Sequence, residues 1–142
     1  MKKYYYVLFS FFIGVLIFTI TFLFGTLFLD RTVYGNSFAE KMAELLYRLD
    51  TRELAETIYK GEGYFSGDGF LYVRCTALIN GKAYYNGVVN GKRKLKADTE
   101  FEAILYAPMD AWSRCHGKAP EDFDYMTKYC YETGSNEEGW KK

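Results

Sequence analysis

An uncharged run of 26 residues from Tyr4 to Leu29, YYYVLFSFFIGVLIFTITFLFGTLFL, dominates the hydropathy of the chain. Crossing the hydrocarbon of a bilayer takes about 20 residues of helix. A cleavable signal carries an apolar core of roughly 7–15 residues and a small-residue exit. The run exceeds that length and closes on Phe28-Leu29-Asp30-Arg31, so it predicts an uncleaved transmembrane anchor within residues 1–30. Lys2 and Lys3 stand on one flank, whereas Asp30 and Arg31 nearly cancel on the other. The positive-inside bias then puts the N-terminus in the cytoplasm and the rest of the chain across the membrane. Ser10, Gly14, Thr21 and Gly25 recur at spacings of four, seven and four within this run. Small side chains on one stripe let a second helix approach closely, so these four predict lateral association in the membrane.

Beyond the anchor the apolar positions first follow a helical period. Ser37-Phe38-Ala39-Glu40 matches a capping box, and Phe38, Met42, Leu45, Leu46 and Leu49 follow on one face. Asp50-Thr51-Arg52-Glu53 restarts a cap, and a second short helix runs to Lys60, with Gly61 and Gly63 ending it. The period then changes to two. Leu71, Val73, Cys75, Ala77 and Ile79 share one phase, with Tyr72, Arg74 and Thr76 on the other. Asn80-Gly81 and Asn90-Gly91 are both two-residue hairpin signals. They join predicted strands over 70–79, 82–89, 92–97 and 99–107 into an antiparallel meander. Pro108 ends the sheet, and Pro120-Glu121-Asp122 opens a last helix with Phe123, Met126 and Cys130 facing inward.

The fold class predicted is therefore α+β: one N-terminal transmembrane helix, an amphipathic helical segment, a four-stranded antiparallel β-meander and a C-terminal helix. The domain reading is anchor over 1–30, outer α+β domain over 31–132, and polar tail over 133–142.

Composition narrows the function classes. Without Lys2 and Lys3 the rest of the chain carries 16 basic against 18 acidic residues, a balance that gives no electrostatic reason to seek nucleic acid. His116 is the single histidine, and Cys115 beside it diverges from it, so no nucleophile–base pair is legible and no catalytic residue is assigned. Cys75, Cys115, His116 and Cys130 lack the closely paired knuckles of a structural zinc site. Glu121, Asp122 and Asp124 lack a calcium-loop pattern. No metal and no cofactor is expected. Lys92-Arg93-Lys94-Leu95-Lys96 reads either as a phosphate or headgroup patch or as a charged strand guarded against edge pairing; Leu95 at strand phase favours the second. Cys115 and Cys130 flank two turn signals and predict a disulfide closing a loop of about 15 residues, worth about 3 kcal/mol in the chain-entropy model. The alternative is three free thiols. Cys75, at an apolar phase, is expected to pack inertly. Tyr72, Tyr84 and Tyr106 fall on the less apolar strand phases and form either a candidate interaction surface or simply the cover of a solvated face.

The anchor, the amphipathic segment Phe38–Leu49 and the stretch GFLYVRCTALINGKAYYNGVVNGK from Gly69 together resemble the ToxS/FidL-like group of small bacterial inner-membrane proteins. The resemblance is one of layout across nearly the whole chain, with no catalytic signature to carry over. It implies a β-rich periplasmic domain, an inner-membrane location, and a role in stabilising a partner or sensing a signal beside a ToxR-like regulator, with an apolar small-molecule ligand in some paired β domains. The expected function is then a non-enzymatic accessory protein that binds a membrane-protein partner, or a second copy of itself, through anchor and outer domain. A holin-like lysis protein is the alternative, and a small membrane-bound enzyme the third reading.

Overall fold

Thr51, Ser66 and Asn136 each turn a side-chain oxygen back onto an amide three residues ahead, and a helix follows each of them. The computed structural model describes residues 36–60 and 64–141, and among these every regular element is helical. Helix α1 covers 36–49, α2 Arg52–Tyr59, α3 Gly67–Ile79, α4 Gly81–Val89, α5 Ala107–His116 and α6 Glu137–Trp140. Single 3-10 turns lie at Glu102–Tyr106 and Pro120–Asp122. Gly35–Lys142 is one of two compact units of the chain; the other, Met1–Tyr34, lies outside the described residues.

Helix α3 is the centre of the domain. Phe70, Leu71, Val73, Arg74, Cys75, Thr76 and Ala77 are all buried, on every side of the helix. Two clusters pack against it. Leu49, Val73, Ala77, Tyr85, Val88 and Leu95 form one, joining α1, α3, α4 and the segment after α4. Met42, Leu46, Leu71 and Cys75 form the other, covered by Tyr72, Ile104, Leu105 and Tyr131. Each large apolar side chain removed from water in this way contributes about 1.5–3 kcal/mol.

These observations overturn the predicted β-meander: among the described residues there is no strand. The four predicted strands are α3, α4, an irregular segment over 92–101, and the 3-10 turn that runs into α5. The two Asn-Gly dipeptides are helix stops. Asn80 has φ −80°, ψ 0° and Asn90 φ −89°, ψ 10°, whereas Gly81 and Gly91 have φ +83° and +66°. A two-residue hairpin turn of the Asn-Gly type needs positive φ at both residues. A left-handed residue after a helix end needs it at the glycine alone. Pro108 does not end a sheet but sits in the first turn of α5, where its missing N–H costs nothing. The helix predicted from Pro120 is one 3-10 turn, and Met126, predicted to face inward, is 87% exposed.

The expectation of a single-pass inner-membrane protein with a periplasmic β domain is corrected with the fold. Among the described residues no helix is long and apolar enough to cross a membrane. The run over residues 4–29, with Ser10, Gly14, Thr21 and Gly25, lies outside the described residues.

Candidate functional site

Two buried charges hold the C-terminal segment against the helical core. Arg74 on α3 and Asp50 at the end of α1 are both 0% exposed, with Nη2 of the arginine 3.8 Å from Oδ1 of the aspartate. At that separation most compensation comes from neighbouring dipoles. The guanidinium donates to the Leu46 carbonyl (2.9 Å), the Tyr131 carbonyl (3.0 Å) and the Thr133 hydroxyl (3.0 Å), and lies 4.8 Å over the Phe70 ring. Burial pushes the Arg74 pKa down, and Asp50 opposes that shift. The Asp50 carboxylate accepts from the amides of Gly134 (3.0 Å) and Asn136 (3.0 Å) and from the indole N–H of Trp140 (3.0 Å). The stretch read as a polar tail is thus stitched to the core from Thr133 to Trp140, and Thr133 also donates to the Gly67 carbonyl at 2.7 Å.

This anchorage builds a groove. Trp140, fixed by Asp50, stands edge-on to Phe70 (6.2 Å between centroids) and to Phe65 (6.1 Å), and Phe65 meets Tyr59 edge-on at 5.1 Å. Perpendicular pairs of this kind suit the ring quadrupoles. Tyr59, Phe65 and Trp140 with Ala55 of α2 line a groove of about 760 Å³, rimmed by Arg52, Glu53, Glu56 and Lys60. Phe65 remains 41% exposed, and its neighbour Tyr64 77%. Sharing Arg52, Glu53 and Glu56 of α2 with this groove, a second cleft of about 820 Å³ runs towards the end of α4 and the segment after it. Arg48, Arg52, Arg93, Lys94 and Lys141 line it, against Glu53 and Glu56.

The chemistry-bearing residues singled out in the sequence are dispersed. Among the described residues no three His, Cys, Asp or Glu side chains gather in a way that would hold a metal ion. His116 Nδ1 lies 2.8 Å from the Trp112 carbonyl, and its ring stacks on Trp112 at 4.7 Å. Cys75 is wholly buried and its thiol is pushed up to about 12, chiefly by burial. The predicted Cys115–Cys130 disulfide is not formed; all three cysteines are free. The reason is the path of the intervening chain. Tyr125 Oη and the Lys128 amide both donate to the Glu40 carboxylate, and Tyr129 packs on Tyr47, which lays 125–129 along α1 rather than back on α5.

The three tyrosines of the predicted interaction surface divide. Tyr72 and Tyr106 meet around Glu102, and both phenols are pushed up, Tyr72 first by burial and Tyr106 first by its hydrogen bond to that carboxylate. Tyr84 lies on α4, where its hydroxyl donates to the Lys94 carbonyl (3.4 Å) and its ring lies 5.2 Å under Arg93. Sequence reasoning missed both concavities. The signals present were the unusual Tyr64-Phe65 pair and Trp140 in an otherwise polar stretch.

The class defined by these features is a small all-helical domain with a central apolar helix and two surface concavities lined in part by α2. Residues 34–114, more than half of the chain, match the family described as "Protein of unknown function (DUF4240)", and the chain belongs to that family. The match ends before the segment that closes over Asp50. No curated protein and no solved structure matches the chain.

Proposed function

We propose that this chain is a non-enzymatic accessory protein whose helical domain binds a protein partner through the groove between α2 and the C-terminal segment. The aromatic groove carries the reading. Tyr59, Phe65 and Trp140 surround a concavity of about 760 Å³, of a size that accepts an apolar anchor side chain and its neighbours. Aromatic walls with a polar rim are the arrangement from which interfaces draw most of their energy. Trp140 is rigid before any partner arrives, because its N–H is committed to a buried carboxylate. Pre-ordering of this kind lowers the cost of association.

The non-catalytic part of the proposal draws support from the engagement of the candidate reactive groups. His116 is held against Trp112, and burial keeps the Cys75 thiol protonated. The ToxS/FidL-like resemblance implied a β-rich domain with its own apolar ligand; the helical fold lends neither any ground, and the proposal stands without it.

The test is photo-crosslinking in the cells that naturally contain the protein. A benzophenone amino acid replaces Tyr64, an exposed ring replaced by a ring, and in a control replaces the exposed Lys82 at the start of α4. The expected result is a discrete protein adduct at position 64 that is missing at position 82 and is lost when Phe65→Ser is added. No adduct at 64, or adducts insensitive to Phe65→Ser, would sink the proposal.

A further inference from the structure

We propose that the cleft on the α4 side of α2 binds a small, multiply charged phosphate compound. The starting point is the run Lys92-Arg93-Lys94-Leu95-Lys96. A guarded edge strand would account for it, but no strand exists there; 90–93 is a turn and bend, followed by irregular chain. Leu95 is 5% exposed and belongs to the core cluster with Val73 and Val88. It therefore pins the segment, while Lys92, Arg93, Lys94 and Lys96 stay exposed around it. The amides of Lys92 and Arg93 both donate to the Gly87 carbonyl, at 2.8 and 2.9 Å, which fixes the turn out of α4.

Arg93 is aimed by packing. Its stem crosses Gly87 so closely that a Cβ there would lie 2.9 Å from Cγ and Cδ, and its guanidinium lies over Tyr84. Among the described residues neither Arg93 nor Lys94 has an ion-pair partner. Arg48 and Arg52 face the same cleft from the other wall, and each is paired only to a glutamate on its own helix, Arg48 to the half-buried Glu44 at 2.8 Å, which Lys41 also holds, and Arg52 to the exposed Glu56 at 2.7 Å. Lys141 is likewise paired to Glu138. Exposed pairs of this kind contribute little, so a multiply charged ligand can take their place.

The ligand class follows from geometry and charge. Three guanidinium forks suit tetrahedral, multiply charged oxyanions, to which each donates two parallel hydrogen bonds. Five cations converge on one cleft of about 820 Å³, within the range of small-molecule sites. An acidic peptide spreads its charges along an extended backbone at about 3.3 Å per residue. Glu53 and Glu56 at the same cleft also oppose a long polyanion passing through.

The experiment titrates the full chain calorimetrically with sodium tripolyphosphate, inorganic phosphate and a tetraglutamate peptide. It also follows amide NMR shifts at Gly91 to Lys94 and at Gly139. The proposal predicts one-site binding of tripolyphosphate, at least tenfold tighter than either other ligand, with shifts confined to those amides. R93Q/K94Q should weaken it at least tenfold, Gly87→Ala several-fold by displacing Arg93, and K82Q not at all. Thermal melts establish that each variant is folded, and the exposed double variant keeps the test decisive should Gly87→Ala fail to fold. Absence of saturable tripolyphosphate binding, undiminished binding by R93Q/K94Q, or an equal affinity for tetraglutamate would each overturn it. Phe65 and Trp140 are untouched, so this outcome is independent of partner binding at the aromatic groove.

Discussion

Arg74 and Asp50 face one another across 3.8 Å with no solvent exposure on either side, and both are hydrogen-bonded to backbone groups of the C-terminal segment, Arg74 to the Tyr131 carbonyl and Asp50 to the Gly134 and Asn136 amides. Removing one partner of such a pair strands the other. Asp50→Ala leaves a buried guanidinium without its counter-charge and frees the Gly134 and Asn136 amides and the Trp140 indole together. A loss of about 3–5 kcal/mol is expected from urea denaturation, the range for a broken buried pair. Replacing both residues, as Asp50→Ala with Arg74→Met, removes the stranded charge and should cost less than the two single changes summed. Additive losses would show that the two charges are not coupled.

The same aspartate explains a steric limit further along. A Cβ at Gly139 would lie 2.7 Å from the Asp50 carbonyl oxygen, 2.8 Å from Asn136 Nδ2 and 3.0 Å from Thr51 Cγ2. Two of these are fixed by the α1–α2 junction and by the Asn136 cap, which accepts from the Gly139 amide. Gly139→Ala should therefore lift Trp140 from its place at a cost of about 1–3 kcal/mol, the range for overpacking. The readout is urea denaturation together with a red-shifted Trp140 emission in a Trp112→Phe background. An unshifted spectrum with native stability would contradict this account of the groove wall.

Alkaline pH should destabilise the domain through two buried acids. Cys75 is pushed up from 9.0 to about 12 and Tyr85 from 10.0 to about 12, each chiefly by burial. Between the unfolded and folded values the unfolded chain has lost protons that the folded chain retains. Stability is then whole below about pH 9 and falls as pH rises towards 12. Cys75→Ala should lower stability at pH 7 as a core truncation and flatten the part of the decline that begins near pH 9. A decline of unchanged slope in that variant would rule out the thiol as its source.

Thiol labelling separates the cysteines by place. Cys130 is exposed, Cys115 half-buried and Cys75 wholly buried. With a chromogenic disulfide reagent, Cys130 should react first, Cys115 more slowly, and Cys75 only on unfolding. A native protein that yields a single reactive thiol, with Cys115 and Cys130 linked, would overturn the free-cysteine assignment.

What the sequence made legible was the local chemistry of caps and one amphipathic face. Residues 36–49 and Arg52–Tyr59 are helical where Met42, Leu46 and Leu49 share a stripe and Thr51 caps. The failure began at α3. A helix buried all round is apolar all round, so it has no stripe to betray its period. In 70–79 the polar residues Arg74 and Thr76 fell two apart and imitated the solvent face of a strand, although both are buried. The competing signal was Ser66, whose hydroxyl accepts from the Gly69 amide at 3.1 Å, with Asp68 in the first turn. The groove was harder still to foresee. It depends on Trp140 meeting Asp50 across 90 positions, a pairing that no local period encodes.

The Asn-Gly dipeptides give the most direct check on the fold. In a hairpin turn of this type Asn and Gly both take positive φ, so replacing either by alanine strains the backbone. Here Asn80 has φ −80° and only Gly81 is left-handed, at +83°, with nothing within 4 Å of the place a Cβ would occupy. The cost of Gly81→Ala is therefore purely conformational, about 1–2 kcal/mol for an L-residue in the left-handed region. Asn80→Ala should lose only the bond from Nδ2 to the Thr76 carbonyl (2.8 Å), about 0.5–1.5 kcal/mol. A D-alanine at position 81, introduced by chemical ligation, should restore full stability, because its backbone is at ease with positive φ. Thermal or urea denaturation of the three variants, with far-UV circular dichroism to confirm helix content, decides the matter. Strong destabilisation by Asn80→Ala, equal to that of Gly81→Ala, would return the dipeptide to a hairpin and with it the sheet that the helices replace.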